Sequence, residues 1–369
     1  MAHPSKKKSD SGFTVLELLV AVSVTALLAG MLLNITSQVV STQTQASSDL
    51  ETNQVAQFIL DRIQEDLHCA VYRNDGNVWM AANILEDTTN SGSWVEDDVV
   101  AAKPINESLR IVPADWTTGP NDPIAEANNQ LALMDARFGV AGTFLRFLTQ
   151  APELDPYISN TGGGRAVSYQ IIRHGLTKAT TSRARYQLFR SDVTTEETFL
   201  TGYNLHPTEG KYIQGSSNGS RKAGNIINPI FNDSDGKSTA FSLASNVIDF
   251  GIRAYFIQKN SAGEGSLVQI FPDVNASNGG GNPPYNYMAT NNLTYISSSG
   301  KPAKYSKFPE VIDVMVRILS TEGASAISAF EEGLIPTPQG YSPAEFWWDI
   351  ADKNSDVYIR RIRVFSSGI

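Results

Sequence analysis

The sequence Gly12-Phe13-Thr14-Val15-Leu16-Glu17-Leu18-Leu19-Val20 opens an apolar run that continues to Leu33. At ~1.5 Å of rise per helical residue, these roughly 21 residues span about 31 Å, which matches the hydrocarbon core of a bilayer. Residues 1–12 are polar and contain Lys6, Lys7 and Lys8. Because lysines beside a membrane segment tend to stay in the cytoplasm, we expect the chain after Leu33 to lie on the other side.

The carboxylate of Glu17 is the unusual feature of this run. An acid near the centre of a membrane helix costs on the order of 3 kcal/mol and normally has a functional partner. If the chain is cut after Gly12, Phe13 becomes a new N-terminus with an ammonium group. Phe13 and Glu17 are four residues apart and share one helix face. The spacing therefore predicts that Glu17 pairs with its own terminal amine or, in a packed assembly, with that of a neighbour.

This stretch resembles the N-terminus of type IV pilins and pseudopilins. The family pattern is a short basic leader ending in glycine, then Phe-Thr, a run of aliphatic residues and a glutamate at the fifth mature position. Gly12, Phe13, Thr14 and Glu17 match it. The resemblance implies cleavage between Gly12 and Phe13 by a membrane aspartyl prepilin peptidase and N-methylation of Phe13. It also implies a helical filament in which Glu17 pairs with the amine of an adjacent subunit.

A secretory signal peptide and a plain membrane anchor are the alternatives for this run. A signal peptide has an apolar core of about 7–15 residues and a small-residue cleavage site at its far end. Here the run is longer, Glu17 interrupts it early, and no Ala-x-Ala pattern follows. A plain anchor has no use for an acid at this position, so the pilin-like interpretation fits better.

Composition limits the choice of partners. The formal net charge is −9 and the basic residues are dispersed, so the sequence shows no basic stripe for nucleic acid. Cys69 is the single cysteine, which excludes an intramolecular disulfide. Proteins of oxidising compartments often use disulfides, so this chain must depend on its hydrophobic core.

Helical periodicity continues beyond the apolar run. Residues 34–54 are polar but contain no proline. Apolar positions at the spacing of an amphipathic helix follow, at Ala56, Leu60, Ile63 and Leu67. We therefore predict one helix over 14–69. Its polar side is expected to carry Asp61, Arg62, Gln64, Glu65 and Asp66.

The rest of the chain is predicted to form an antiparallel sheet with long loops, which gives an α+β, pilin-like fold. Strands are expected over 143–148, 166–173, 186–190, 247–258, 311–320 and 357–365, with the second and third forming a hairpin. Their polar and apolar alternation predicts one solvated face and one face packed on the helix. Other expectations are a connection over 70–108, a strand at 109–112, helices over 122–138, 324–332 and 343–350, and loops over 201–239 and 259–306.

The predicted organisation has four parts. They are a leader over 1–12, a membrane or filament-core helix over 13–33, its amphipathic continuation over 34–70 and a β-rich domain over 71–369. The helix end at 61–67, the hairpin and the strand after Phe308-Pro309 are similar to J-type minor pseudopilins of type II secretion. An equal similarity is to pilin-like proteins of environmental bacterial gene cassettes. The chain is longer than a J-type protein, and the extra length lies in the loops.

No catalytic constellation stands out, so an enzyme is not expected. The four histidines have no metal-pair spacing, and nucleophile-elbow, phosphate-loop and Cys-x-x-Cys patterns do not occur. No cofactor is expected. Residues 232–236 partly resemble a calcium loop, with Asp233 and Asp235 as candidate ligands, but Phe231 and Ser242 stand where an EF-hand needs acids. A plain turn is the alternative for this segment.

The function expected from these features is that of a minor pilin or pseudopilin, placed at the tip of a type II secretion pseudopilus or a type IV pilus-like filament. Its expected partners are other pilin or pseudopilin subunits, the prepilin peptidase, the inner-membrane assembly platform and, before assembly, membrane lipid. The expected location is the bacterial inner membrane, crossed once, with a cytoplasmic N-terminus and a periplasmic or extracellular domain. The alternative is a membrane-tethered adhesin that recognises glycan or a surface through its loops.

Overall fold

The computed structural model describes most of the helix and strand framework. The described residues are 14–84, 143–150, 163–175, 184–206, 212, 231–233, 236–238, 241–261, 263–271, 286–294, 306–341, 343–364 and 367–368. They form two compact units, the first ending at Glu51 and the second beginning at Thr52. Lys6, Lys7, Lys8, Gly12 and Phe13 lie outside the described residues.

Helix α1 covers Val15–His68 and confirms the helix predicted over 14–69. Aliphatic residues and the absence of proline favour it, and Gly30 stands in open space. Hydroxyl groups in its apolar part donate to carbonyls four residues earlier, from Ser23 to Leu19 at 2.8 Å and from Thr25 to Ala21 at 2.9 Å. These polar side chains are therefore satisfied within the helix and need no water.

The strands and the remaining helices follow in chain order. The strands are β1 (Val71–Tyr72), β2 (Met80–Ile84), β3 (Thr143–Thr149), β4 (Arg165–Gly175), β5 (Ala184–Asp192), β6 (Phe231–Asp233), β7 (Gly236–Ser238), β8 (Ser242–Ser245), β9 (Val247–Lys259), β10 (Gly265–Phe271), β11 (Asn286–Ala289), β12 (Val311–Leu319), β13 (Ser355–Arg363) and β14 (Ser367–Gly368). The helices are α2 (Thr195–Thr201), α3 (Thr321–Glu331) and α4 (Pro343–Lys353).

Two sheets dominate the second unit. A six-stranded sheet has the order β11-β2-β3-β4-β5-β8, and a four-stranded sheet has the order β10-β9-β12-β13. All pairs within them are antiparallel, and the hairpin of β4 with β5 is confirmed. The two-residue strands β1 and β14 pair in parallel. The α+β prediction with antiparallel sheets is therefore confirmed, as are all six predicted strands.

The core lies where the second half of α1 meets both sheets. Ile59, Ile63 and Leu67 of the helix are fully buried in one cluster with Tyr169 of β4 and Phe250 of β9. Burying each of these side chains stabilises the fold by about 2 kcal/mol. The predicted packing of the amphipathic half of the helix on the sheet is confirmed.

The prediction of one solvated sheet face is wrong for the six-stranded sheet. All seven residues of β3 are buried, and so are Arg165, Ser168 and Gln170 of β4. The polar residues of the alternating pattern bond to one another: the hydroxyls of Ser168 and Ser191 lie 2.7 Å apart, and Ser242 donates to Gln187 at 2.8 Å. Alternating polar and apolar residues show that the two faces of a strand differ. They do not show that the polar face is exposed, because polar side chains that hydrogen-bond to one another can be buried.

Residues 70–84 contain two strands, where the prediction was a plain connection over 70–108. Strand β2 lies between β11 and β3, and Met80, Ala81 and Ala82 are fully buried. This strand begins with a short apolar run, Met80 to Ala82, which is typical of a strand covered on both faces and gives no period-2 signal. The predicted strand at 109–112 and helix over 122–138 lie outside the described residues.

Helices α3 and α4 confirm the two short helices predicted near the C-terminus. Trp347 and Trp348 of α4 are 1% and 6% exposed, so they pack inward. The carboxylate of Glu331 joins three elements, because its Oε1 accepts from the hydroxyl of Tyr186 at 2.7 Å and from Nε1 of Trp347 at 2.9 Å. Glu331 therefore fixes both helices to strand β5.

We expect Glu331→Ala to lower the free energy of unfolding by about 2 kcal/mol, since two buried donors lose their acceptor. Urea unfolding of the detergent-solubilised chain, followed by tryptophan fluorescence, measures this change. Glu322→Ala is the matched control, because Glu322 lies exposed on the first turn of the same helix. Equal losses in the two variants would show that Glu331 does not join these elements.

Candidate functional site at the start of the long helix

Gly12, Phe13 and Glu17 were predicted to act in cleavage, methylation and assembly, and of these the structure describes Glu17. Glu17 lies in the first turn of α1. Its Oε2 accepts a hydrogen bond from the backbone N–H of Thr14 at 2.9 Å and from the Thr14 hydroxyl at 3.0 Å. The backbone N–H of Glu17 donates in return to Oγ1 of Thr14 at 3.3 Å. The acid thus has a partner inside its own chain.

This reciprocal arrangement is a capping box. The threonine before the helix and the glutamate three residues later satisfy N–H groups that have no acceptor within the helix. The carboxylate also stands at the positive end of the helix dipole, which favours its charge. The sequence prediction missed Thr14 as a partner, although Thr-x-x-Glu before an apolar run is a recognised signal for this cap.

The hydrogen bonds from Thr14 use one carboxylate oxygen of Glu17, Oε2. Among the described residues, Oε1 is therefore the oxygen at which an ammonium group can bind without breaking the cap. Whether the Phe13 amine meets it stays a prediction, since Phe13 lies outside the described residues. The arrangement can hold a fixed negative charge at the start of an apolar helix.

The surface around Glu17 is strongly apolar. Val15, Leu16, Leu18 and Leu19 are 61–83% exposed. A contiguous apolar surface of this kind normally marks a membrane or protein contact. By length and composition, α1 is the one helix among the described residues that is able to cross a membrane, and its apolar window is not buried within the chain.

A second polar site lies in the other half of α1. Asp66 is fully buried and accepts from Nε of Arg190 at 2.7 Å and from Nη2 of the same residue at 2.9 Å. The hydroxyl of Tyr169 also donates to Asp66, and Nη2 of Arg62 lies 3.5 Å away. The helix is therefore held to β4 and β5 by a buried ion pair, which we call the Asp66 clamp (Arg62, Asp66, Tyr169 and Arg190).

The predicted placement of Arg62 and Asp66 on the polar side of the helix is wrong. Arg62 is 5% exposed and Asp66 is fully buried. Asp66 follows Ile59 by seven residues, which places both on one helix face. A buried carboxylate persists there because Arg190 supplies the opposite charge. The burial of Asp66 could therefore have been predicted from its position on the helix face, although its residue type suggests an exposed position.

Strand alternation gives the matching signal for Arg190. Tyr186, Leu188 and Arg190 alternate along β5, and Tyr186 and Leu188 belong to the buried core. Arg190 shares their face, so an inward arginine on this strand needs an acid opposite it. Asp192 adds a second contact, with its Oδ2 lying 3.6 Å from Nη1 of Arg190.

The clamp predicts a loss of stability at high pH. Burial, followed by the charge of Asp66, raises the pKa of the Tyr169 phenol well above its usual value. A group whose pKa is raised on folding stabilises the fold fully below its unfolded pKa, and this stabilisation is lost as the pH rises. We therefore expect the free energy of unfolding to start falling above pH about 10, where an unfolded tyrosine ionises.

Urea unfolding of the wild-type chain and of Tyr169→Phe measures this effect between pH ~8 and ~11, a range that brackets an ordinary tyrosine pKa. Tyr169→Phe should show a shallower decline, since it removes the phenol that ionises. Identical pH slopes in the two chains would contradict the assignment.

The calcium candidate falls in a tight hairpin. Strands β6 and β7 pair antiparallel with Asp233 opposite Gly236. Asp235 lies outside the described residues. No group of three or more His, Cys, Asp or Glu residues that is able to hold a metal ion occurs among the described residues. The calcium site at Asp233 and Asp235 and the plain-turn alternative both stay predictions.

Comparison with known proteins addresses the N-terminal segment. Residues 7–33 match the family model of the prokaryotic N-terminal methylation motif. No curated protein and no solved structure matches the chain. The matched segment contains Gly12, Phe13 and Glu17 and the first turns of α1. Its prepilin-type motif, together with the long apolar helix that starts within it, supports the interpretation of the chain as a type IV pilin-like protein.

Proposed function

We propose that this protein is a non-enzymatic filament subunit, processed by a prepilin peptidase and assembled with other pilin-like subunits. The observation that carries the proposal is the methylation motif at residues 7–33, which ends in an exposed apolar helix with one acid in its first turn. Such a helix is unsuited to water and is complementary to lipid or to other apolar helices.

Assembly is the mechanism in this proposal. Before assembly, the Thr14 cap satisfies one oxygen of Glu17 while the helix lies in lipid. Cleavage between Gly12 and Phe13 then creates an ammonium group. When helices bundle, the charge of Glu17 neutralises this ammonium group on its own chain or on a neighbour. A paired charge is far cheaper to bury than a single one.

The proposal includes an orientation and a position. The lysines at 6–8 favour a cytoplasmic N-terminus, so the second unit would lie in the periplasm and later outside the cell in the filament. The size of residues 71–369 would crowd a lattice made mainly of this chain. We therefore place it as a minor subunit, at or near the tip of a type II secretion pseudopilus or a type IV pilus-like filament.

Immunogold labelling of sheared filaments tests the position. We expect label at filament ends and a small ratio of this chain to the main subunit in the same preparation. Label along the whole fibre at one copy per repeat would contradict the minor role. Absence of the chain from filaments, although it is cleaved and present in the membrane, would contradict the subunit role itself.

Cleavage gives a further prediction. We expect Gly12→Val to leave nearly all of the chain uncut, because a residue without a side chain allows the peptidase to approach the scissile bond closely. Ser11→Ala changes the neighbouring position without adding bulk and should be cut as the wild type. Immunoblotting of membranes resolves the precursor from the mature chain. Normal cleavage of Gly12→Val would place the processing site elsewhere.

A further inference from the structure

The four-stranded sheet ends in two exposed edges. Among the described residues, β10 and β13 each pair with one strand, β9 and β12 respectively. On β13, Val357 is 39% exposed and Ile359 is 57% exposed. On β10, Leu267 is 44% exposed. An exposed edge that carries apolar side chains is a template for pairing with another strand.

Charges on β13 do not protect its edge in the usual way. Arg360 is paired with Asp61 of α1 through Nη1. Arg361 donates to both carboxylate oxygens of Asp313 on the adjacent strand, at 2.6 and 2.8 Å. Arg360 and Arg361 are therefore bound to acids within the domain. The strand pairs with β12 over all nine residues without a bulge, which leaves its outer side regular.

The backbone register shows which groups face outward. Asn354 accepts from Ser320, and Val364 donates to Glu310, so the even-numbered residues of β13 face β12. The backbone groups of Val357, Ile359 and Arg361 then point to the free edge. On β10, Asn260 donates to the carbonyl of Glu264, and the same alternation turns the backbone groups of Leu267 outward.

Strand direction decides how two copies of the chain can meet. Each neighbouring pair in the sheet is antiparallel, so β10 and β13 run in opposite directions. Two copies in the same orientation therefore meet β13 to β10 with antiparallel strands. Pairing β13 with β13 would instead reverse the second copy. Such reversal does not suit a filament, which repeats its subunits in one orientation.

Side chains agree with this direction. Setting Ile359 opposite Leu267 of the second copy places two exposed apolar side chains side by side and pairs outward backbone groups on both strands.

We propose that copies of this chain join head to tail, with β13 of one copy extending the four-stranded sheet through β10 of the next. The inference rests on the proposed function, because it names a second copy as the neighbour in the filament. Such a contact uses two different surfaces and so can repeat along an assembly. The minor role then corresponds to a short row of copies rather than a single one.

Disulfide trapping in whole cells tests the contact on the full chain. In a background in which Cys69 is replaced by Ala, Ile359→Cys is placed on one tagged chain and Leu267→Cys on a second chain with a different tag. The Cα atoms of a hydrogen-bonded antiparallel pair lie about 5.5 Å apart, which suits a disulfide. Phe199→Cys replaces either cysteine as a control, because Phe199 is 70% exposed on α2, outside both edges.

We expect a disulfide between the two tags when Ile359→Cys and Leu267→Cys are co-expressed. Adding Val357→Pro to the Ile359→Cys chain removes only an outward N–H of β13, and should reduce the cross-linked fraction about tenfold.

A dimer from Ile359→Cys alone would overturn the proposal in favour of a reversed pair. A cross-link no stronger than that of the Phe199→Cys control, in cells where the chain is cleaved and found in filaments, would overturn it and leave the proposed function standing. Loss of the chain from filaments would instead count against the proposed function.

Discussion

Glu17→Ala should abolish incorporation of this protein into filaments while cleavage between Gly12 and Phe13 continues. Removing the carboxylate leaves the new ammonium group of Phe13 buried among apolar helices without an opposite charge. An unpaired buried charge of this kind costs about 3 kcal/mol or more, which corresponds to a loss of about 100-fold in assembly. The measurement is the ratio of processed chain in sheared filaments to processed chain in membranes.

Two further variants separate the charge of Glu17 from its capping role. Glu17→Gln keeps an oxygen that can accept from Thr14 but has no charge, so it should fail to assemble as Glu17→Ala does. Thr14→Ala removes the cap and keeps the charge, and should cost about 1 kcal/mol at the helix start, with much of the assembly retained. Normal assembly of Glu17→Ala would show that the charge of Glu17 is not needed to bury the Phe13 ammonium group.

Asp66→Ala should produce the largest loss of stability in the second unit, about 3–5 kcal/mol. The substitution leaves the guanidinium of Arg190 buried without its bidentate partner and removes the acceptor of the Tyr169 hydroxyl. The second half of α1 would then be held to the sheets by apolar packing and by its remaining polar contacts, such as the ion pair of Asp61 with Arg360. Urea unfolding of the detergent-solubilised chain measures the change.

The control for this substitution lies on the same helix. Asp61 forms an ion pair with Arg360, but its side chain is 71% exposed, so Asp61→Ala should cost less than about 1 kcal/mol. If Asp66→Ala does not accumulate, Asp66→Asn retains an acceptor for Tyr169 and should unfold at an intermediate urea concentration. A loss from Asp66→Ala no larger than that from Asp61→Ala would show that the clamp does not hold the helix.

The sequence predicts the features that repeat locally. Helix α1 and the β4–β5 hairpin follow from apolar spacing within one segment, and the structure confirms both. The start of α1 is equally local, yet Thr14 was missed because the acid was interpreted through a distant amine rather than through the capping box. The methylation motif lies in a short contiguous segment, which explains why it is recognisable from sequence.

The features that depend on distant parts of the chain could not be predicted in the same way. Asp66 and Arg190 are 124 positions apart, so neither reveals the other by spacing. Burial of both faces of the six-stranded sheet depends on layers that alternation within one strand does not report. The edges of the four-stranded sheet depend on strand order, which places β10 and β13 at opposite ends.

The central claim is that a processed N-terminal amine meets the acid at Glu17. Mass spectrometry of the N-terminal peptide from membrane and filament fractions tests this claim most directly. We expect a chain that starts at Phe13 and carries a methylated amine. A mature chain that starts at Met1, or at any residue other than Phe13, would contradict it.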